Sequence, residues 1–159
     1  MPNSIGVKIH QSVLPQAGEK VFVKHSLNAF LKTGLSEELL RNNILHIVIC
    51  GMMSHMCIDT TVRAAHDLGF LVTVLEDACN TKDLLWNGAA ITAQMVHNTF
   101  MASLNGVFAQ VMHTDKFLEN VKNSLIVYFS NITIICTAGK DVYALLIYNL
   151  KSNYILIRI

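Results

Sequence analysis

Apolar and polar positions along this chain fall into blocks whose period switches between two and about 3.6. The run "ILHIVIC" (Ile44–Cys50) is dense in β-branched residues, the pattern of a strand buried on both faces of a parallel sheet. "KVFVK" (Lys20–Lys24) is a short alternating strand with Val21 and Val23 on one face. "LVTVLE" (Leu71–Glu76) and "VFAQVM" (Val107–Met112) read as two further strands. Between the strands the period is helical. "LSEELLRN" (Leu35–Asn42) predicts a short helix with Ser36 as N-cap and two glutamates in its first turn. A helix over about Met56–Leu68 ends at Gly69, a residue suited to the left-handed position after a helix. The spacing predicts a long helix over about Leu84–Leu104 and a short one over Asp115–Asn120. Residues 1–19 read as loop, punctuated by Pro2, Gly6, Pro15 and Gly18.

Strand–helix alternation with short connections predicts an α/β domain with a parallel sheet. Ligand sites in such sheets lie beyond the carboxyl ends of the strands. "GMMSHMCIDTTVRAAHDLGF" (Gly51–Phe70) leaves the carboxyl end of the Ile44–Cys50 strand and so occupies that position. From about Val121 the character changes to Ile, Leu, Tyr, Asn and Ser with few helix or turn signals. We expect a domain over residues 1–120 and a β-prone tail over 121–159 that stands apart from it. In the alternative, the tail strands join the sheet.

Composition narrows the class. A chain of 159 residues with 52% hydrophobic and 14% charged residues is long and apolar enough for one well-packed core. A net charge of +1 with no basic stripe argues against nucleic acid as partner. No uncharged apolar stretch reaches the roughly 18 residues of a membrane span. "MPNSIGVKIHQSV" lacks the apolar core of a signal peptide, and a cytoplasmic protein is expected. Cys50, Cys57, Cys79 and Cys136 then read as reduced thiols, and their spacing fits no zinc pattern.

One of the four stands out. Cys57 falls in the first turn of a helix, where unpaired N–H groups and the positive end of the dipole stabilise an anion. A thiol there gains thiolate character, and the same N–H groups can hold an oxyanion. Lys24, at the end of its strand, supplies a cation if the two strands are neighbours. Free cysteine is also a common packing residue, the reading that Cys50 and Cys79 take. His55 and His66 flank the site and read as surface or packing.

The segment "ILHIVICGMMSHMCIDTTVRAAHDLGFLVTVLEDAC" resembles the signature of the isochorismatase-like cysteine hydrolases, a superfamily that includes the nicotinamidases. The shared pattern is apolar strand, Gly, short turn, Cys, a Thr-x-Arg-Ala-Ala helix, Gly, strand and Asp-Ala. "VFVKHSLNAFLKTGL" is similar to the stretch with the family's catalytic lysine and its Phe and Thr markers, here Phe30 and Thr33. "DLLWNGAAITAQMVHNTFMASLNGVFAQVMHTDKFL" resembles the closing segment, so the likeness runs from about residue 5 to 119. It implies a three-layer α/β/α, Rossmann-like fold. Carried over by position, Cys57 is the nucleophile and Lys24 the cation beside it. A cis peptide falls between Met52 and Met53, and the N–H groups of Met53 and Cys57 form the oxyanion hole. Arg63 and Asp77 take structural roles, pairing helix and loop. Phe30, Trp86 and His97 are candidate pocket walls, although the first two residue types are more often core or interface. No metal and no cofactor are implied; the partners are a small-molecule substrate and, in a homo-oligomer, further copies of the chain.

The family also carries an aspartate, its general base, at the end of a first strand of pattern "hhhhDhQ" (h, apolar). No such strand precedes Lys20, and the stretch around Ile9 and His10 matches the region after the family's second strand. The expectation is an N-terminally truncated domain without that base. Asp59 and Asp77 stand nearby in sequence but not at its position. Two functions follow: a cysteine hydrolase of small amides or related C–N or C–O substrates, or an inactive member that serves as an oligomer subunit or interaction partner.

Overall fold

Strand β2 (His46–Met52) organises the molecule. In the computed structural model, which describes residues 14, 17, 20–123, 132–137, 144–147 and 155–158, it lies inside a four-stranded parallel sheet. The order is β6 (Gln110–Met112), β3 (Leu71–Asn80), β2, β7 (Ile132–Thr137). Ile47 pairs in register with Val72 and Ile49 with Val74. Because successive side chains of a strand point to opposite faces, these four residues share one face. They pack with Leu35 and Leu39 of α1 (Leu35–Arg41), Val62 and Ala65 of α2 (Asp59–Asp67), and Met101 and Leu104 of α3 (Ala93–Leu104). Val48, Cys50 and Leu75 point the other way and meet Phe117 of α4 (Thr114–Asn123). Helices therefore cover both faces, and the expected α/β fold with a parallel sheet is the fold observed.

A second sheet contains β1 (Lys20–Val23), β9 (Ile155–Arg158) and β8 (Ala144–Ile147), with β1 and β9 parallel and β8 and β9 antiparallel. Phe22 is the β1 residue that packs against the core, while Val21 and Val23 are exposed. Within residues 121–159, expected as a tail apart from the fold, the described strands β7 and β9 pair with β2 and β1 respectively. The physical reason is the open edge of each strand, whose unpaired N–H and C=O groups a β-prone segment can satisfy. The loop expected over residues 1–19 lies, apart from two positions, outside the described residues.

Local signals account for most boundaries. Helix α2 ends as its glycine predicts: Gly69 adopts φ 87° and donates its N–H to His66, while Phe70 N–H reaches back to Ala65. This pair of bonds is the Schellman arrangement, and it turns the chain into β3. The long helix expected over Leu84–Leu104 needs correction. Its first half is an antiparallel hairpin, β4 (Leu84–Trp86) and β5 (Ala89–Ile91), and the helix begins only at Ala93. The cause is Asn87-Gly88, whose φ values of 49° and 78° match a two-residue hairpin turn with both central residues left-handed. Thr92 then caps α3 by accepting the N–H of Met95 at 3.3 Å. Ser36 is likewise not the cap of α1. Gly34 (φ 74°) takes that place, and Glu38 is tied to Lys20 and Arg41. Among the described residues, no helix is long and apolar enough to cross a membrane.

This packing sets unequal costs for truncation. Ile49→Ala, at a fully buried position, should lose about 2–5 kcal/mol in urea unfolding. Leu85→Ala, on the exposed hairpin, should stay within about 0.5 kcal/mol of the wild type. Equal losses at the two positions would contradict the layer assignment.

Candidate active site

Two chain segments meet beyond the carboxyl ends of β1 and β2. Lys24 follows the last residue of β1 and is 1% exposed despite its charge. Its Nζ approaches Cys57 Sγ at 3.3 Å. The same ammonium donates to the carbonyls of Ser26 (3.0 Å) and Leu27 (3.3 Å). Burial pushes the Lys24 pKa below its ordinary value, while the charge of and hydrogen bond to Cys57 act the other way. Cys57 is itself only 2% exposed.

The turn that carries Cys57 differs from a plain helix start. Gly51 has φ 121°, the Met52–Met53 peptide is cis, and Ser54–Ile58 form a single π-helical turn before α2. The Met53 carbonyl accepts the N–H groups of Met56 (2.9 Å) and Ile58 (3.3 Å), which closes the turn on itself. Ser54, with no exposed surface, donates to the Asn80 carbonyl at 3.3 Å and lies 2.9 Å from His97 Nδ1. A serine hydroxyl has one proton, so with Asn80 as its acceptor the second contact requires His97 Nδ1–H to donate. Ser54 thereby ties the turn to the end of β3 and to α3. His55 lies 2.5 Å from Thr81 Oγ1 and packs against Phe100.

The structure thus brings Cys57, Lys24 and the Met52–Met53 peptide to one edge of the fold, with His97 joined to them through Ser54. The remaining candidates lie elsewhere. Phe30 stacks on Phe70 inside the core at 5.7 Å, and Trp86 is 70% exposed on the β4–β5 hairpin. Arg63 bonds Asp59 (2.9 Å) and Ser103 (2.9 Å) and lies over the Phe108 ring. Asp77 accepts the N–H and hydroxyl of Thr114 at the start of α4. Burial opposes the Asp77 charge, but these two bonds, its own backbone N–H and the nearby His113 together hold the carboxyl below its usual range. His66 meets the edge of Phe108. Ser54, Thr61 and Thr81, all buried, were not singled out in the sequence. Their hydroxyls lie within or beside the turns around Cys57, and that spacing is the only sequence signal for them.

The thiols differ from one another. Burial pushes the half-buried Cys79 up to about 12. The expectation of reduced thiols fails at Cys50, which is disulfide-bonded; its register partner across β2 and β7 is Cys136. Among the described residues, no three His, Cys, Asp or Glu side chains are grouped to hold a metal ion. A cavity of about 470 Å³ lies at the opposite, amino ends of β2, β3 and β6, between His46, Leu71, Phe108 and Gln110, and none of the residues around Cys57 lines it.

With this geometry in place, the comparisons with known proteins are specific. The isochorismatase domain family model matches residues 2–116, and the chain belongs to that family. It is 48% identical over 118 residues to the isochorismatase family protein YddQ of Bacillus subtilis (strain 168), covering 74% of this chain and 66% of that one. A solved structure from Oleispira antarctica shares 44% identity with a TM-score of 0.70, covering 75% of this chain and 63% of the other. The ureidoacrylate amidohydrolase RutB of Variovorax paradoxus (strain S110) is 34% identical over 106 residues, covering 67% of this chain and 38% of its own. The chain therefore spans no more than about two-thirds of these relatives.

Thiol chemistry should separate along the same lines. Brief iodoacetamide treatment at pH 7.5 followed by peptide mapping should find Cys57 modified and Cys79 nearly untouched. Comparable labelling of the two would contradict the assigned environments.

Proposed function

We propose that the protein is a cysteine hydrolase that cleaves small amides or related C–N or C–O substrates through an acyl-enzyme on Cys57. The observation that carries this reading is the buried 3.3 Å contact between Lys24 Nζ and Cys57 Sγ beside the turn. An ammonium at that distance in a low-dielectric setting favours the thiolate, which is the nucleophilic form. The sulfur attacks the carbonyl carbon, an S–C bond forms, and the C=O π pair moves onto oxygen. The N–H groups of Met53 and Cys57 receive that oxyanion. Collapse expels the leaving group, which takes a proton from the Lys24 ammonium, and leaves a thioester. Water then adds to the thioester and returns a proton to Lys24, releasing the carboxylic acid and restoring the thiolate–ammonium pair.

His97 and the Ser54 it touches stand beside the turn, and His97 is the candidate for contact with bound substrate. The amidohydrolase name of the Variovorax relative supports an amide substrate. The reading requires Cys57 to remain a free thiol, as it is here while Cys50 is disulfide-bonded. It also makes the protein a homo-oligomer, with the exposed Leu85, Trp86 and Met95 as candidate interface residues.

Intact-mass analysis during incubation with a panel of small amides tests this directly. The expected result is a hydroxylamine-labile acyl adduct on the Cys57 peptide, absent in Cys57→Ala, with kcat/KM at least about 100-fold lower in Lys24→Ala. Turnover that survives Cys57→Ala would overturn the proposal.

A further inference from the structure

Thr61 stands four residues after Cys57, about one helical turn along, and has no exposed surface. Its hydroxyl donates to the Leu27 carbonyl at 3.2 Å and accepts the Ala29 N–H at 3.2 Å. The Leu27 carbonyl is also an acceptor for the Lys24 ammonium, at 3.3 Å. One carbonyl is therefore shared between the residue beside Cys57 and a hydroxyl on α2, the helix that continues the Cys57 turn.

The segment that provides this cradle is otherwise local in its bonding. Ser26 Oγ donates to the Asn28 carbonyl, and Asn28 Oδ1 accepts the Phe30 N–H. Leu27 itself is 38% exposed, so the loop runs along the surface while its carbonyls point inward at Lys24. Thr61 is the described side chain that bonds this loop to α2.

We infer that Thr61 is a positioning residue that fixes Lys24 against Cys57 by holding the Leu27 carbonyl. This rests on the thiolate–ammonium reading above and goes beyond it by assigning what sets the distance. The effect is sensitive to small displacements. At an effective dielectric of about 20, lengthening an ion pair at this distance by about 1 Å weakens it enough for a roughly sevenfold change in a rate that depends on the pair.

The test is the pH–rate profile of Cys57 alkylation by iodoacetamide in the full chain, followed by peptide mapping, for wild type, Lys24→Ala, Thr61→Val and Thr61→Ser. Thr61→Val keeps the shape and removes the hydroxyl. It should slow alkylation about 5- to 10-fold at pH 6.5 and leave the rate at pH 9.5 unchanged, moving in the same direction as Lys24→Ala. Thr61→Ser keeps the hydroxyl and should stay within about twofold of the wild type at both pH values. If Thr61→Val does not fold, Thr61→Ala against Thr61→Ser gives the same comparison at equal loss of the methyl group. A wild-type profile in the hydroxyl-free variant alongside a shifted profile in Lys24→Ala would overturn the role of Thr61 alone. Unshifted profiles in both would instead overturn the thiolate–ammonium pair, and the positioning role with it.

Discussion

The contact on which the site depends is the 3.3 Å approach of an ammonium to a sulfur, both almost wholly removed from solvent. A lysine in such surroundings is opposed by its own desolvation, and the direction of its pKa reflects that. It is held by two backbone carbonyls and by the sulfur. Lys24 and those partners come from segments whose courses are set by something else: the lysine from the end of β1, the carbonyls from the loop after it and the sulfur from the turn after β2. The position of a few polar atoms thus constrains three separate stretches of chain.

The apolar layers make this affordable in energetic terms. Ile47, Ile49, Val72 and Val74 on one face and Val48 and Leu75 on the other supply the burial that a small α/β domain needs. Buried polar residues are few, and they are not scattered. Of the six described, Lys24, Ser54, Thr61 and Thr81 surround the Cys57 turn or its supports, leaving only Glu38 and Thr73 elsewhere. Each of the four has a hydrogen-bond partner, so the polar content of the interior is concentrated where the chemistry is read.

Much of this was legible in the residues, and the parts that were not have physical causes. The β-branched run of β2 and the Gly69 stop of α2 are local signals, and both hold in the structure. The hairpin at Asn87-Gly88 was hidden because Leu84, Leu85, Ala89 and Ala90 also fit a helical period, and a left-handed dipeptide decides between the two. Cys57 and Lys24 were found by position at strand ends and by resemblance, whereas Thr61 looked like one more polar helix residue. Its role depends on a loop more than thirty residues away in sequence, which no periodicity encodes. The same limit hid the pairing of β7 and β9, since long-range strand partners leave no mark on the segment that finds them.

The central claim of the proposal is that the buried contact between Lys24 and Cys57 equips Cys57 to carry an acyl group. The most direct measurement is the burst of leaving group released from an activated ester, compared between the wild type, Cys57→Ser and Lys24→Met. The account predicts a burst of about one equivalent per chain that is lost in Cys57→Ser and slowed at least about 100-fold in Lys24→Met. A burst of equal rate and size with and without Lys24 would contradict it.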